Sequence, residues 1–82
     1  MEVFVEKKVL GKFKKLPPKV RTKASSALKE LKKGFSAKLD IKKLKGLRNH
    51  YRIRIGKYRI LFYFYEGKII VYDLLPRKKA YE

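Results

Sequence analysis

The chain has 82 residues, with 24 Lys or Arg against 7 Asp or Glu and a formal net charge of +17. This is the size of one small domain, read as spanning residues 1–82, and with 0 cysteines it excludes disulfides and thiolate metal sites and gives no sign of an oxidising compartment. No apolar run is long enough for a membrane span and no signal peptide opens the chain, so a cytoplasmic protein is expected, and its basic excess points to nucleic acid and away from an anionic membrane.

In chain order, Glu2-Val3-Phe4-Val5-Glu6 reads as a short strand at one edge of a sheet. From Lys7 the pattern becomes helical: Val9, Leu10, Phe13 and Leu16 are spaced by three and four among lysines. Leu16-Pro17-Pro18 ends that helix, because proline disfavours helix in the residue before it and cannot donate to the preceding turn. A second helix follows at once, with Pro18 tolerated in its first turn, an apolar stripe of Val20, Ala24, Ala27, Leu28 and Leu31, and a stop at Gly34. Residues 35–50 mix Phe35, Leu39, Ile41, Leu44 and Leu47 with lysines in no sustained period, and read as a connecting loop.

Leu44 to Leu75 organises the rest. It carries three runs of β-formers separated by Gly56-Lys57 and Glu66-Gly67, both suited to two-residue hairpin turns. Two-residue turns fix the register, and with it the faces of the sheet. One face would carry Tyr51, Ile53, Ile55, Tyr58, Ile60, Phe62, Phe64, Ile69, Val71, Asp73 and Leu75, and would form the core. The other would carry Arg52, Arg54, Arg59, Leu61, Tyr63, Tyr65, Lys68, Ile70, Tyr72 and Leu74, and His50 by continued alternation. Asp73 is the misfit on the apolar side: it must find hydrogen-bond donors, or the register must slip near the strand's end. Pro76 stops pairing, and a basic tail follows. The expected architecture is α+β in the order β-α-α-β-β-β, with a helical hairpin packed on one face of a small antiparallel sheet.

The scattered carboxylates and single histidine make no metal constellation, and no phosphate-cradling glycine loop or activated nucleophile is evident, so neither metal nor cofactor is expected. The open face is where chemistry is available. Guanidinium groups clamp phosphate bidentately and stabilise charge developing in phosphoryl transfer, and tyrosines stack on unpaired bases. Arg54 directly opposite Arg59 costs stability unless an anion lies between them. RNA fits this surface, since its 2′-hydroxyl is an internal nucleophile. Tyr63, Tyr65 and Tyr72 serve equally well as stacking platforms or as a protein-contact surface.

The order β-α-α-β-β-β, together with Leu44-Lys45-Gly46, Tyr51-Arg52-Ile53-Arg54, Gly56-Lys57-Tyr58-Arg59-Ile60 and Arg77 followed by Tyr81, resembles the RelE/ParE superfamily of bacterial and archaeal toxins over nearly the whole chain. The resemblance implies an mRNA interferase of the RelE type, which cleaves messenger RNA in the ribosomal A site and is neutralised by a cognate antitoxin. It implies that Arg52 and Arg54 match two basic residues acting on the 2′-hydroxyl and scissile phosphate, and that Arg59 matches a phosphate-stabilising arginine. It further implies that Arg77 or Lys78 matches the basic residue near the leaving oxygen, and that Tyr81 matches a terminal tyrosine that stacks on or orients the substrate. The family often has lysine at the first two positions; arginine stays protonated and is the poorer base. Leu61, Ile70 and Leu74 beside the basic face are expected to bind an acidic, amphipathic antitoxin segment. The alternatives are a DNA gyrase inhibitor of the ParE branch and a non-catalytic basic nucleic-acid-binding module.

Overall fold

The computed structural model describes residues 1–35 and 37–76. Its elements are β1 (Val3–Val5), α1 (Lys7–Lys14), α2 (Pro18–Lys32), β2 (Ile41–Lys43), β3 (His50–Ile55), β4 (Tyr58–Tyr65) and β5 (Lys68–Pro76). The sheet runs β1-β5-β4-β3-β2, with β1 parallel to β5 and every other pairing antiparallel. The helical pair therefore carries the chain from one edge of the sheet to the other and lies across one face.

Both hairpins form at the expected residues. Gly56 has a φ of 57° and Lys57 keeps negative φ, the pattern of a type II′ turn, while Glu66 and Gly67 at 48° and 76° fit type I′. Gly34, at φ 108°, follows the C-cap of α2 and donates its N–H to the Leu31 carbonyl at 2.9 Å.

Two features depart from the expected fold. The segment expected as a loop contains β2, whose Ile41, Lys42 and Lys43 pair with Ile53, Arg52 and Tyr51. This strand is held by its partner, because three residues with one apolar side chain carry no periodic signal of their own. The sheet is accordingly five-stranded and mixed where a smaller antiparallel one was expected.

The second departure is a β-bulge in β5. Tyr63 pairs with Ile70 and Phe62 with Val71, but Leu61 pairs with Asp73, which leaves Tyr72 as the extra residue. Beyond the bulge the faces exchange, so Leu74 enters the core opposite Ile60 at 4% exposure, and Leu75 moves opposite Arg59. This answers the Asp73 misfit in both ways anticipated. The register slips, and the carboxylate accepts the Leu74 N–H at 2.8 Å and a bond from Lys12 Nζ at 2.6 Å, which ties α1 to β5.

The core is the apolar stripe of the helices, Val9, Leu16, Ala24, Ala27 and Leu31, set on Ile53, Ile60, Phe62, Ile69, Val71 and Leu74. Each large side chain removed from water here contributes about 1.5–3 kcal/mol. Phe35, just past α2, packs edge-on against Tyr51 and Phe62 at 5.2 and 6.1 Å between ring centroids.

Candidate nucleic-acid interface

Three rows of paired residues cross β3 and β4 on the face away from the helices: Arg54 with Arg59, Arg52 with Leu61, and His50 with Tyr63. β2 widens this face at one side and β5 at the other. The pairing of Arg54 with Arg59 is the like-charge contact read from the sequence, and the fold supplies it with a counter-ion. Asp40, immediately before β2, sets Oδ2 3.7 Å from Arg54 Nε and Oδ1 3.2 Å from Arg52 Nη1.

The two β3 arginines are placed differently. The Arg52 side chain is 8% exposed, and Nη1 donates to both the Asp40 carbonyl at 3.0 Å and its carboxylate. A guanidinium desolvated and bonded in this way is part of the fold. Arg54, at 41% exposure, has its side chain at the surface. Arg59 is half-buried.

At the other end of β3 an aromatic cluster forms. His50 stacks on Tyr63 with centroids 5.1 Å apart and meets Tyr72 edge-on at 5.5 Å, and Tyr63 and Tyr72 stand 5.5 Å apart. The bulge makes this possible, because Tyr72 is the inserted residue. His50 Nδ1 lies 2.5 Å from the Arg48 carbonyl, which accepts the Nδ1–H and fixes the ring's orientation. Burial, and then the neighbouring Asp73 carboxylate, raises the Tyr72 phenol above its ordinary value, so it stays a neutral hydrogen-bond donor. Tyr65 lies outside the cluster, opposite Lys68 and 58% exposed.

His50 and Arg54 are four positions apart on one strand, about 13 Å at the rise of an extended chain. The face is thus divided into a cationic end and an aromatic end. The apolar area expected beside them is smaller than the sequence indicated: Leu61 is 7% exposed beneath this face, Leu74 lies in the core, and Ile70 remains half-buried. Arg77, Lys78 and Tyr81 lie outside the described residues. Among the described residues no three His, Asp or Glu side chains gather as metal ligands would.

No family model matches the sequence. The chain is 36% identical to Toxin RelE3 of Methanocaldococcus jannaschii over all of its own length and 97% of that protein. The chain belongs to the RelE toxin family. The toxin fold in the RelB–RelE antitoxin–toxin complex of Methanococcus jannaschii superposes with a TM-score of 0.82 at 35% identity, covering 95% of this chain and 94% of that one. The archaeal RelE–RelB complex of Pyrococcus horikoshii OT3 gives 0.79 at 26% identity, covering 96% and 97%.

For a RelE-family chain the charge distribution of this face is informative. The sequence reveals its arginines and tyrosines but not Asp40, because that residue's place on the face depends on β2. The alternation of Leu39, Ile41 and Lys43 against Asp40 and Lys42 was the available signal, and it is too short to stand out.

Proposed function

We propose that this RelE-family toxin is a ribosome-dependent endoribonuclease that cuts messenger RNA through its 2′-hydroxyl and so stops translation. The observation that carries this reading is the division of one sheet face into a cationic end, Arg54 and Arg59, suited to phosphate, and an aromatic end, His50, Tyr63 and Tyr72, suited to an unpaired base. A single strand laid along β3 puts a phosphate at the first and an unpaired base at the second.

In the reaction, the 2′-oxygen attacks phosphorus while the bond to the 5′-oxygen breaks. A proton leaves the 2′-hydroxyl and one is delivered to the 5′-oxygen, giving a 2′,3′-cyclic phosphate and a 5′-hydroxyl. Arg54 and Arg59 stabilise the charge that builds on the phosphoryl oxygens, which needs no titration and suits guanidinium groups. Arg52 acts from within the sheet, holding Asp40 and through it the edge of the site. Arg77 or Lys78 takes the position near the leaving oxygen, and Tyr81 orients the substrate. His50, about 13 Å along the strand from Arg54, belongs to the stacking end with Tyr63 and Tyr72, and Tyr65 with Lys68 extends the surface beyond it.

Arginine is a poor base, so most of the acceleration comes from a ribosome presenting the strand with the 2′-oxygen and the leaving oxygen in line. Naked RNA is cut slowly. The same reading makes the protein a cytoplasmic, single-domain toxin held inactive by a cognate antitoxin whose acidic segment covers the basic face; the formal charge of +17 supports a salt-sensitive complex of that kind.

The test combines purified protein, ribosomes and a defined message, with the 3′ ends mapped, for wild type and Arg59→Ala. Cleavage confined to ribosome-bound message and lost in the variant is the expected result. Intact message with wild type, or unchanged cleavage with the variant, overturns the reading; a supercoiling assay then tests gyrase inhibition.

A further inference from the structure

We infer that Asp40 is a positioning residue that acts as a built-in competitor for phosphate, holding the Arg54 guanidinium until an RNA phosphate takes its place. The inference rests on the RNA-cleaving reading of this face and deepens it. Its starting point is the asymmetry of one carboxylate between two arginines. The Asp40 carbonyl is pinned to β3 twice, accepting the Arg54 backbone N–H at 3.0 Å and Arg52 Nη1 at 3.0 Å. Residue 40 is therefore fixed whatever its side chain does.

The carboxylate then divides its oxygens. Oδ1 sits 3.2 Å from Arg52 Nη1, within hydrogen-bond range, on an arginine whose side chain is 8% exposed. Oδ2 sits 3.7 Å from Arg54 Nε, outside that range, on an arginine that is 41% exposed, and the Asp40 side chain is itself 52% exposed. Water and salt screen the second pair more than the first. A phosphodiester with two free oxygens makes the bidentate contact to Arg54 that Oδ2 lacks, so Arg54 exchanges partners while Arg52 keeps Asp40 in place.

The carboxylate also answers the pairing of Arg54 with Arg59, the like-charge contact that otherwise costs stability in an empty site. Asp40 thus gives Arg54 an anionic neighbour when no RNA is bound. The same charge weakens RNA binding, because each phosphate must displace it.

The experiment measures affinity of the full chain for a short single-stranded RNA carrying a 2′-deoxy residue at every position that would be cut, across a salt series. The proteins are wild type, Asp40→Asn, Arg54→Gln and the double variant. Asparagine keeps an oxygen for Arg52 Nη1 and removes the charge. The expected result for Asp40→Asn is a folded protein with a lower melting temperature, since the buried Arg52 loses its counter-charge, together with about three- to ten-fold tighter binding and a salt slope steeper by up to about 0.7, the value for one further cation on a single strand. In the Arg54→Gln background the same substitution changes neither binding nor slope.

Weaker or unchanged binding by Asp40→Asn, or an equal gain in the Arg54→Gln background, overturns the inference. Since the oligonucleotide is not cut, this outcome is independent of whether the protein cleaves. Failure of wild type to cut ribosome-bound message would remove the proposed function and leave the exchange of partners at Arg54 standing or falling on the binding data.

Discussion

Replacing Leu74 by alanine tests the bulge and, through it, the construction of the aromatic end of the site. With an uninterrupted register Leu74 would lie on the open face and its truncation would be nearly silent. With the bulge it is 4% exposed in the core, opposite Ile60 and within the cluster that includes Leu16 and Val71. Removing a leucine side chain from such a site costs about 2–5 kcal/mol, combining lost transfer energy with the cavity left behind. A chain of this length has a total stability of about 4–12 kcal/mol, so the variant keeps roughly half of it. At about 4–8 °C per kcal/mol, the midpoint of thermal unfolding should fall by about 8–16 °C for a loss at the low end of that range. Leu75→Ala, half-buried opposite Arg59, should cost about 1 kcal/mol or less. Guanidinium chloride titrations of both variants, followed by circular dichroism, give the comparison. Leu75→Ala more destabilising than Leu74→Ala would restore the uninterrupted register and remove Tyr72 from the cluster with His50 and Tyr63.

Three further outcomes are expected. Asp73→Asn should cost about 1 kcal/mol at neutral pH, since it weakens the bonds to Lys12 and Leu74 while Lys12 stays partly exposed to screening. Burial pushes the Asp73 carboxyl up, but the Lys12 bond, the Leu74 N–H and the charges of Lys12 and Lys8 outweigh it and leave it below its ordinary value. A folded value below the unfolded one, about 3.9, means the contribution is present above that pH and lost as pH falls through the folded value; a wild-type advantage that persists undiminished in strong acid would contradict this. Arg59→Ala should slow cleavage of ribosome-bound message by about a hundred- to a thousand-fold, the loss typical of one charge-stabilising donor, with primer extension as the readout. Tyr63→Ala should weaken binding of the uncleavable single strand by about 1–3 kcal/mol, and the loss should vary little with base identity because stacking is sequence-tolerant. Loss confined to one base would indicate hydrogen-bonded readout.

The parts legible in the sequence are those whose information is local. Gly56-Lys57 and Glu66-Gly67 identify turns by their φ requirements, and each turn carries the register of two strands with it, so the Arg54–Arg59 and His50–Tyr63 rows follow from the sequence alone. Leu16-Pro17-Pro18 and Gly34 bound the helices for equally local reasons. The bulge has no such signature: one residue is inserted into β5 by the need to bury Leu74 against Ile60 and to give Asp73 a cation, and both are tertiary demands. The misplaced Asp73 was its one trace. β2 was invisible because Ile41-Lys42-Lys43 is ordered by β3, and with β2 went Asp40, whose importance lies in which arginines it faces. Arg52 shows the same gap from the other side: the motif located it on the reactive face, while its burial against Asp40 follows from packing.

The parallel pairing of β1 with β5 has a consequence for how the protein comes into being. Val3–Val5 finds its partners, Ile69–Val71, far along the chain, across both helices and three other strands. The β3, β4 and β5 hairpins close over short loops, whereas β1 and the helix tied to β5 through Glu6 and Lys12 must wait for distant sequence. Strand β5 also brings Tyr72 to the face and Leu74 to the core. A chain in which β5 has not yet paired therefore has neither β1 in the sheet nor Tyr72 beside His50, so closure of the sheet and completion of the aromatic cluster are one event.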